Sequence, residues 1–248
     1  LLKNNLGRLN KEMIDAWEVL KKANVDAAIK NNIDDLTHVE EYLITSGKSI
    51  DDVAGEITKA GGYKNWLSSI GVSTVRSLEQ FTKLTLSQKL ANIKQAWEAY
   101  YPQIFFERRL FEEMMGYYRY LKTARWGHTS DIAHNFKAVD FYEDFTEVGN
   151  KIFAEKAVSM KTTTTKSVEK WLASNPISKN IIELRENLGA ANGIIWNKKT
   201  LYYSKAEIHI YMPKENITPE LGTEWINKLT KEVPDIKFEI KALEDYIK

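Results

Sequence analysis

Three polar residues lie on two apolar segments that follow each other closely in the chain. Asp140 lies within AVDFYED, and Ser159 and Lys161 lie within EKAVSMKT. An acid, a hydroxyl and an amine together could hydrolyse a phosphodiester. The carboxylate would hold a divalent metal ion, and the lysine would orient water and stabilise a pentavalent phosphate. An ordinary sheet with an edge aspartate and a surface lysine has the same spacing, so the pattern leaves both interpretations open.

The two segments are predicted to be strands, residues 136–143 and 152–161, that pair as a hairpin. Because side chains alternate across a strand, Ser159 and Lys161 are predicted to share a face. Alternation groups Asp140 with Phe136, Ala138 and Tyr142, and groups Ser159 and Lys161 with Phe153, Glu155 and Ala157. Pairing of the hairpin would bring the acid, the hydroxyl and the lysine to one half-buried surface.

Four stretches between Phe105 and the C-terminus carry a family resemblance. They are RLFEEMMGYYRY with its Phe-Glu, KAVDFYED, EKAVSMKTTTT, and AEIHIYMPKENITPE, in which a strand ends at a proline and a helix follows. In this order they resemble the PD-(D/E)XK nuclease-fold toxin domains at the C-terminal ends of bacterial polymorphic and contact-dependent toxins. Ser159-Met160-Lys161 is a variant of the Glu-x-Lys element of that family.

The resemblance implies a metal-dependent endonuclease and assigns roles to individual residues. Glu112 and Asp140 would hold the metal, Lys161 would orient the attacking hydroxide, and Ser159 would position Lys161 or water. The Phe-Glu also occurs at Glu107. A helix turns by about 100° per residue, so Glu107 and Glu112 point about 140° apart and only one can reach the site. Glu112 is preferred because it lies nearer the strand pair.

The resemblance also implies partners and a setting. The favoured substrate is DNA, with an RNase acting on tRNA as the alternative, and the cation would be Mg²⁺ or Mn²⁺, with Zn²⁺ possible. A cognate immunity protein, a larger parent toxin upstream, and delivery as an effector into the cytoplasm of a target cell are further implications. The chain starts at Leu1 without a methionine, which predicts a fragment of a longer protein. A non-catalytic interaction module is the rival from another class.

Composition limits the chemistry but does not select it. The chain has 248 residues, 43% hydrophobic and 28% charged, as in soluble globular proteins, and no apolar run is long enough to cross a bilayer. The absence of cysteine excludes thiolate zinc sites and a cysteine nucleophile. Any metal ligands must be carboxylates, histidines or backbone oxygens, which favours magnesium, manganese or histidine-assisted zinc. The net charge of +1 does not by itself indicate nucleic-acid binding.

The order of apolar periods predicts an α+β protein in two parts. Residues 1–103 are predicted to form a helical module, and residues 104–248 a PD-(D/E)XK-like domain with a mixed sheet and flanking helices. His128 and His134 fall in a predicted loop near Asp140, where a turn or core role is favoured over a metal or general-base role. His209 is predicted to face the opposite side of its strand from its isoleucine neighbours, solvated or partly buried.

Overall fold

The computed structural model describes residues 11–70, 75, 77–98, 108–133, 136–189 and 193–248. The chain divides into two compact units, Leu1–Thr74 and Val75–Lys248. The boundary predicted at residue 103 therefore lies inside the second unit. The physical reason is that Phe81, Ile93 and Trp97 are buried in a cluster with residues of the sheet, so the helices before residue 103 belong to its core.

The first unit is helical, as predicted. Its helices are α1 (Lys11–Lys22), α2 (Ala27–Lys30), α3 (Ile33–Ser46), α4 (Ile50–Lys59) and α5 (Tyr63–Ser69). Helix α4 begins with a reciprocal capping box between Ser49 and Asp52, which satisfies free main-chain N–H groups at its first turn. The apolar sides of the helices bury Leu20, Leu36 and Trp66 in one shared core.

The second unit alternates helices with strands. Its helices are α6 (Leu78–Thr82), α7 (Leu86–Glu98), α8 (Arg108–Tyr118), α9 (Val168–Leu172), α10 (Asn175–Glu186) and α11 (Pro219–Glu232). Its strands are β1 (Trp126–His128), β2 (Phe141–Val148), β3 (Lys151–Thr162), β4 (Ile194–Trp196), β5 (Lys199–Met212) and β6 (Ile236–Ala242). No described helix is long and apolar enough to span a membrane.

The six strands form one mixed sheet in the order β1-β2-β3-β5, with β4 and β6 both pairing β5. Strands β1, β2 and β3 are antiparallel neighbours, whereas β3, β5 and β6 run parallel. Strand β5 has neighbours on both sides, and its residues 206–212 are all buried, including the polar Glu207 and His209. The predicted mixed sheet with flanking helices and a helical N-terminal part is confirmed.

Each face of the sheet has its own core. Ala206, Ile208 and Ile210 of β5 point to the face that α9, α10 and α11 cover, here called the α10 face. Tyr211 points to the other face, where Met114 of α8 and helices α6 and α7 pack, here called the α8 face. Alternation along the strands therefore decides which helices a side chain meets.

Alternation changes phase once, in the middle of the sheet. Ala154 and Ala157 of β3 are both buried on the α10 face although three residues separate them. Glu155 of β3 has no Cα partner in the pairing with β2 or in the pairing with β5. Asp144, which lies opposite it on β2, has φ +50°. Phe153 is thus not on the same face as Ala157, Ser159 and Lys161, which corrects the predicted grouping. Strand β2 also starts at residue 141, later than the predicted 136.

Candidate functional site

Asp140 is the last residue before β2, and its main chain is held on two sides. Its N–H donates to the carbonyl of Val158 (2.9 Å), which continues the β2–β3 ladder by one residue. Its carbonyl accepts from the N–H (3.1 Å) and the hydroxyl (3.0 Å) of buried Thr129. Because the backbone is fixed in this way, the carboxylate points across β3. The residue is buried, with 8% of its surface exposed.

Hydrogen bonds join the three predicted site residues. Lys161 Nζ donates to Ser159 Oγ at 2.6 Å, and Ser159 Oγ donates to Asp140 Oδ2 over a longer 3.4 Å. The main-chain N–H of Met160 donates to the same Oδ2 at 2.5 Å. The structure therefore brings the acid, the hydroxyl and the amine together on the α10 face, in an order that runs from ammonium to hydroxyl to carboxylate.

Burial differs along this chain of hydrogen bonds. Ser159 is fully buried, whereas Lys161 is partly buried. Lys161 also donates to the carbonyl of Met160 (3.1 Å). The lysine stem therefore lies along the strand, and its ammonium group lies at the edge of the core.

The predicted glutamate ligand belongs to a different part of the structure. Glu112 is half-buried on α8, and α8 packs Leu110, Met114 and Met115 into the core of the α8 face. Asp140 and Ser159 instead meet on the α10 face. Glu107, the alternative ligand, lies outside the described residues. A ligand role for Glu112 depends on the family resemblance.

A second polar cluster lies on the α8 face. Glu207 and His209 alternate along β5, and Glu239 lies opposite His209 on β6. His209 Nε2 is 2.9 Å from Glu207 Oε2 and 3.8 Å from Glu239 Oε2. Glu207 and His209 are buried, and one ligand atom from each of the three residues lies within 4.8 Å of the others. This group is called the Glu–His–Glu cluster.

Tyrosines and an arginine extend the cluster toward α8. The Tyr120 hydroxyl is 2.7 Å from His209 Nδ1 and 2.5 Å from the Tyr211 hydroxyl. Arg119 donates to the Tyr211 hydroxyl and, at 2.8 Å, to Glu239 Oε2. Tyr120 also stacks on Phe141 with ring centroids 4.0 Å apart. The hydrogen bonds therefore tie β5 and β6 to the segment that follows α8.

Cations lie near both glutamates of the cluster, of which Glu207 is buried and Glu239 is half-buried. Lys237 Nζ lies 3.3 Å from Glu207 Oε1 and 3.0 Å from Glu239 Oε1, and Lys156 Nζ lies 3.8 Å from Glu207 Oε1. Burial alone would raise the pKa of each carboxyl, but the hydrogen bond of His209 to Glu207 and that of Lys237 to Glu239, together with the nearby positive charges, outweigh it. The pKa of Glu207 is lowered, and that of Glu239 falls to about 2. Both carboxylates are therefore ionised at neutral pH.

The Glu–His–Glu cluster could hold a metal ion. Burial lowers the pKa of His209, so the imidazole is neutral at pH 7 and keeps a lone pair for a ligand. One imidazole with two carboxylates is a donor set that suits zinc or manganese. A cation there would compete with Arg119 and Lys237, which already bind the carboxylate oxygens.

Sequence reasoning did not select this cluster. His209 was expected to be solvated or partly buried, but it is 2% exposed. The available signal was the pair Glu207 and His209 between isoleucines in AEIHIYM, because polar residues two apart on a doubly covered strand share one buried face. His128 has a structural role: its Nε2 is 2.7 Å from the carbonyl of Tyr120. His134 lies outside the described residues.

No known protein family, curated protein or solved structure matches this chain. The chemistry of the two polar clusters therefore has to be judged from their own geometry. In the cluster around Asp140, a buried serine joins the carboxylate to a partly buried lysine. In the Glu–His–Glu cluster, both carboxylates are already paired with neighbouring cations.

Proposed function

We propose that the second unit is a metal-dependent nuclease that hydrolyses nucleic-acid phosphodiester bonds, with DNA as the favoured substrate. The observation that supports this most directly is the hydrogen-bonded series from Lys161 through Ser159 to Asp140. The three residues come from the two strands of one hairpin. They are the acid and the Ser-x-Lys element that the family resemblance assigns to phosphodiester hydrolysis.

The carboxylate of Asp140 has the chemistry that a hard divalent cation requires. Its Oδ2 accepts from Met160 and Ser159, while its Oδ1 accepts no hydrogen bond from any described residue. Mg²⁺ keeps several of its waters and is held by one or two carboxylates, so Oδ1 can serve as one protein ligand. Such a cation supplies Lewis acidity at the phosphate and a bound water of lowered pKa.

Lys161 and Ser159 would contribute charge and orientation. The ammonium of Lys161 can donate to a non-bridging phosphate oxygen, where negative charge develops in the transition state. Ser159 is fully buried and accepts a hydrogen bond from Lys161 Nζ, so it would hold that group in position before substrate arrives. In this assignment Asp140 and Lys161 touch the reacting groups, whereas Ser159 acts through Lys161.

Two candidate cation sites require separate assignments. The cation for hydrolysis would lie at Asp140, because the Glu–His–Glu cluster is enclosed on the opposite face of the sheet. Magnesium or manganese suits the oxygen donor of Asp140, and zinc suits the histidine-containing cluster. As the family resemblance implies, an immunity protein would then hold the nuclease inactive in the producing cell.

The purified chain incubated with plasmid DNA and with total RNA, in Mg²⁺, in Mn²⁺ and in EDTA, tests the proposal. We expect DNA cleavage that needs the metal and that Asp140→Asn and Lys161→Met abolish. Asp144→Asn and Lys166→Met are matched controls, because both residues are exposed nearby. Cleavage of RNA alone would change the substrate. A folded chain that cuts neither, or full cutting by Asp140→Asn, would contradict the proposal.

A further inference from the structure

Two departures from ordinary protein geometry meet at the segment that leads into Asp140. Ala138 has φ +57°, a left-handed conformation that is costly for a residue with a Cβ. The N–H of Val139 donates to the carbonyl of Lys137 at 2.6 Å, which closes a three-residue turn around Ala138. Turns of this kind with a positive central φ are rare and strained.

The second departure is a buried oxygen on α10. Asn180 Nδ2 donates to the carbonyl of Ala138 at 3.2 Å, whereas Asn180 Oδ1 is buried and has no hydrogen-bond partner among the described residues. The amide cannot be reversed, because Oδ1 would then face a carbonyl oxygen. A buried oxygen without a partner is unfavourable. Asn180 is therefore poorly explained by stability alone.

The bond from Asn180 holds the part of this segment that comes before the contacts with Thr129 and β3. After Ala138, Thr129 Oγ1 donates to the carbonyl of Val139 (2.8 Å) and also reaches that of Asp140. Strand β3 holds the N–H of Asp140. Before these bonds, the strained turn at Ala138 decides the direction in which the chain enters β2. Strain that the surrounding structure enforces is typical of functional sites.

We propose that Asn180 is a positioning residue for the reaction at Asp140: its amide holds the strained turn at Ala138 and so keeps the Asp140 carboxylate aligned with Ser159 and Met160. The inference rests on the proposed nuclease function for its consequence in catalysis. Its structural part concerns only the alignment of Asp140. Asn180 itself does not touch the reacting groups.

A double-mutant cycle in the full chain tests this role. Asn180→Ala should lower kcat by about 10- to 100-fold with little change in KM, because a small misplacement of a catalytic group is costly. Ala138→Gly should cut DNA nearly as well as the wild type. Glycine adopts positive φ without strain, so Ala138→Gly combined with Asn180→Ala should recover most of the lost kcat.

Asn187→Ala is the matched control, because Asn187 lies at the end of the same helix and its Nδ2 also donates to a carbonyl, that of Glu183 (2.8 Å). It should leave kcat unchanged. A wild-type kcat in Asn180→Ala, an equal loss in Asn187→Ala, or a loss that Ala138→Gly does not restore would overturn the proposal.

The main-chain amide of Met160 provides a readout that does not need activity. Its N–H donates to Asp140 Oδ2, so its NMR shift reports the alignment of that carboxylate. We expect the shift to move in Asn180→Ala, to return toward the wild-type value when Ala138→Gly is added, and to stay in Asn187→Ala. An unchanged Met160 shift in Asn180→Ala would overturn the positioning role. A chain without nuclease activity that still shows the expected shifts would refute only the proposed function.

Discussion

The two faces of the sheet carry polar clusters of opposite construction. On the α10 face, the only cation joined to Asp140 and Ser159 by the described contacts is Lys161, which lies at the edge of the core. On the α8 face, buried Glu207 and half-buried Glu239 lie beside an imidazole and several cations. In the first cluster, Asp140 Oδ1 accepts no hydrogen bond from a described residue, whereas both carboxylates of the second are paired with cations.

Under the proposed function, this difference separates groups that would react from groups that hold the sheet together. A buried, balanced ionic cluster contributes little net stability relative to apolar packing, but the loss of one member leaves an uncompensated charge. Asp140 is also buried, but Lys161 is only partly buried and could meet a substrate under the proposed function. We therefore expect substitutions on the α10 face to change activity, and substitutions on the α8 face to change stability.

The largest expected effect is on cleavage. Lys161→Met should reduce kcat by at least about 100-fold, the usual cost of removing a charge that stabilises the transition state. Glu207→Gln should leave kcat within a few-fold of the wild-type value, because Glu207 lies on the other face. Single-turnover rates on plasmid DNA measure both. An equal loss of kcat in Glu207→Gln would mean that the two faces act as one site.

The next effect is on stability. Glu207→Ala should lower the free energy of unfolding by about 3 kcal/mol, because His209 and the nearby lysines lose a buried partner. Glu155→Ala is the matched control on a neighbouring strand, since its pair with Lys205 is exposed and contributes about 0–1 kcal/mol. Urea unfolding measures both. Similar losses would show that burial does not distinguish the two ion pairs.

A smaller effect is expected from metal binding. Zn²⁺ at 100 times its dissociation constant would stabilise the folded chain by about 2.7 kcal/mol, and competition from Arg119 and Lys237 should raise that dissociation constant. The shift in the unfolding midpoint should persist in Asp140→Asn and disappear in Glu239→Gln. A shift that instead disappears in Asp140→Asn would place the ion on the α10 face.

The smallest expected effect is at alkaline pH. Burial raises the pKa of Tyr142 from 10.0 to about 12, helped by the charges of Glu147 and Asp131. Since the folded chain keeps a proton that the unfolded chain releases, the stability that depends on it is present below pH 10 and is lost as pH rises from about 10 to 12. Tyr142→Phe should flatten this part of the stability profile. An unchanged profile would mean that Tyr142 has no part in it.

Short-range patterns predicted one cluster and missed the other. The hairpin was visible because its apolar segments alternate and lie close in the chain, and its pairing puts Asp140 beside Ser159. The Glu–His–Glu cluster needs the knowledge that β6 lies next to β5, which no local pattern contains. The predicted alternation of side chains was also wrong across Glu155. The alternation changes phase there in paired strands together, so the pattern of one strand does not reveal the change.

The boundary between the two units was also out of reach of local patterns. Helices α6 and α7 have the same amphipathic character as those of the first unit, so periodicity assigned them to it. Their apolar sides in fact cover the α8 face of the sheet, where Phe81 and Ile93 are fully buried. Periodicity indicates that a helix has an apolar side, but not which surface that side covers.

The number of residues between two bonded residues predicts the order in which their contacts form during folding. Asp140 and Ser159 are 19 residues apart, whereas Arg119 and Glu239 are 120 residues apart. Closing the longer loop costs about 1.6 kcal/mol more entropy, and distant pairings form late in folding. We therefore expect the amide of Met160 to gain protection from hydrogen exchange before the amides of β6 during refolding. The alignment of the candidate site would then precede the locking of the sheet around it.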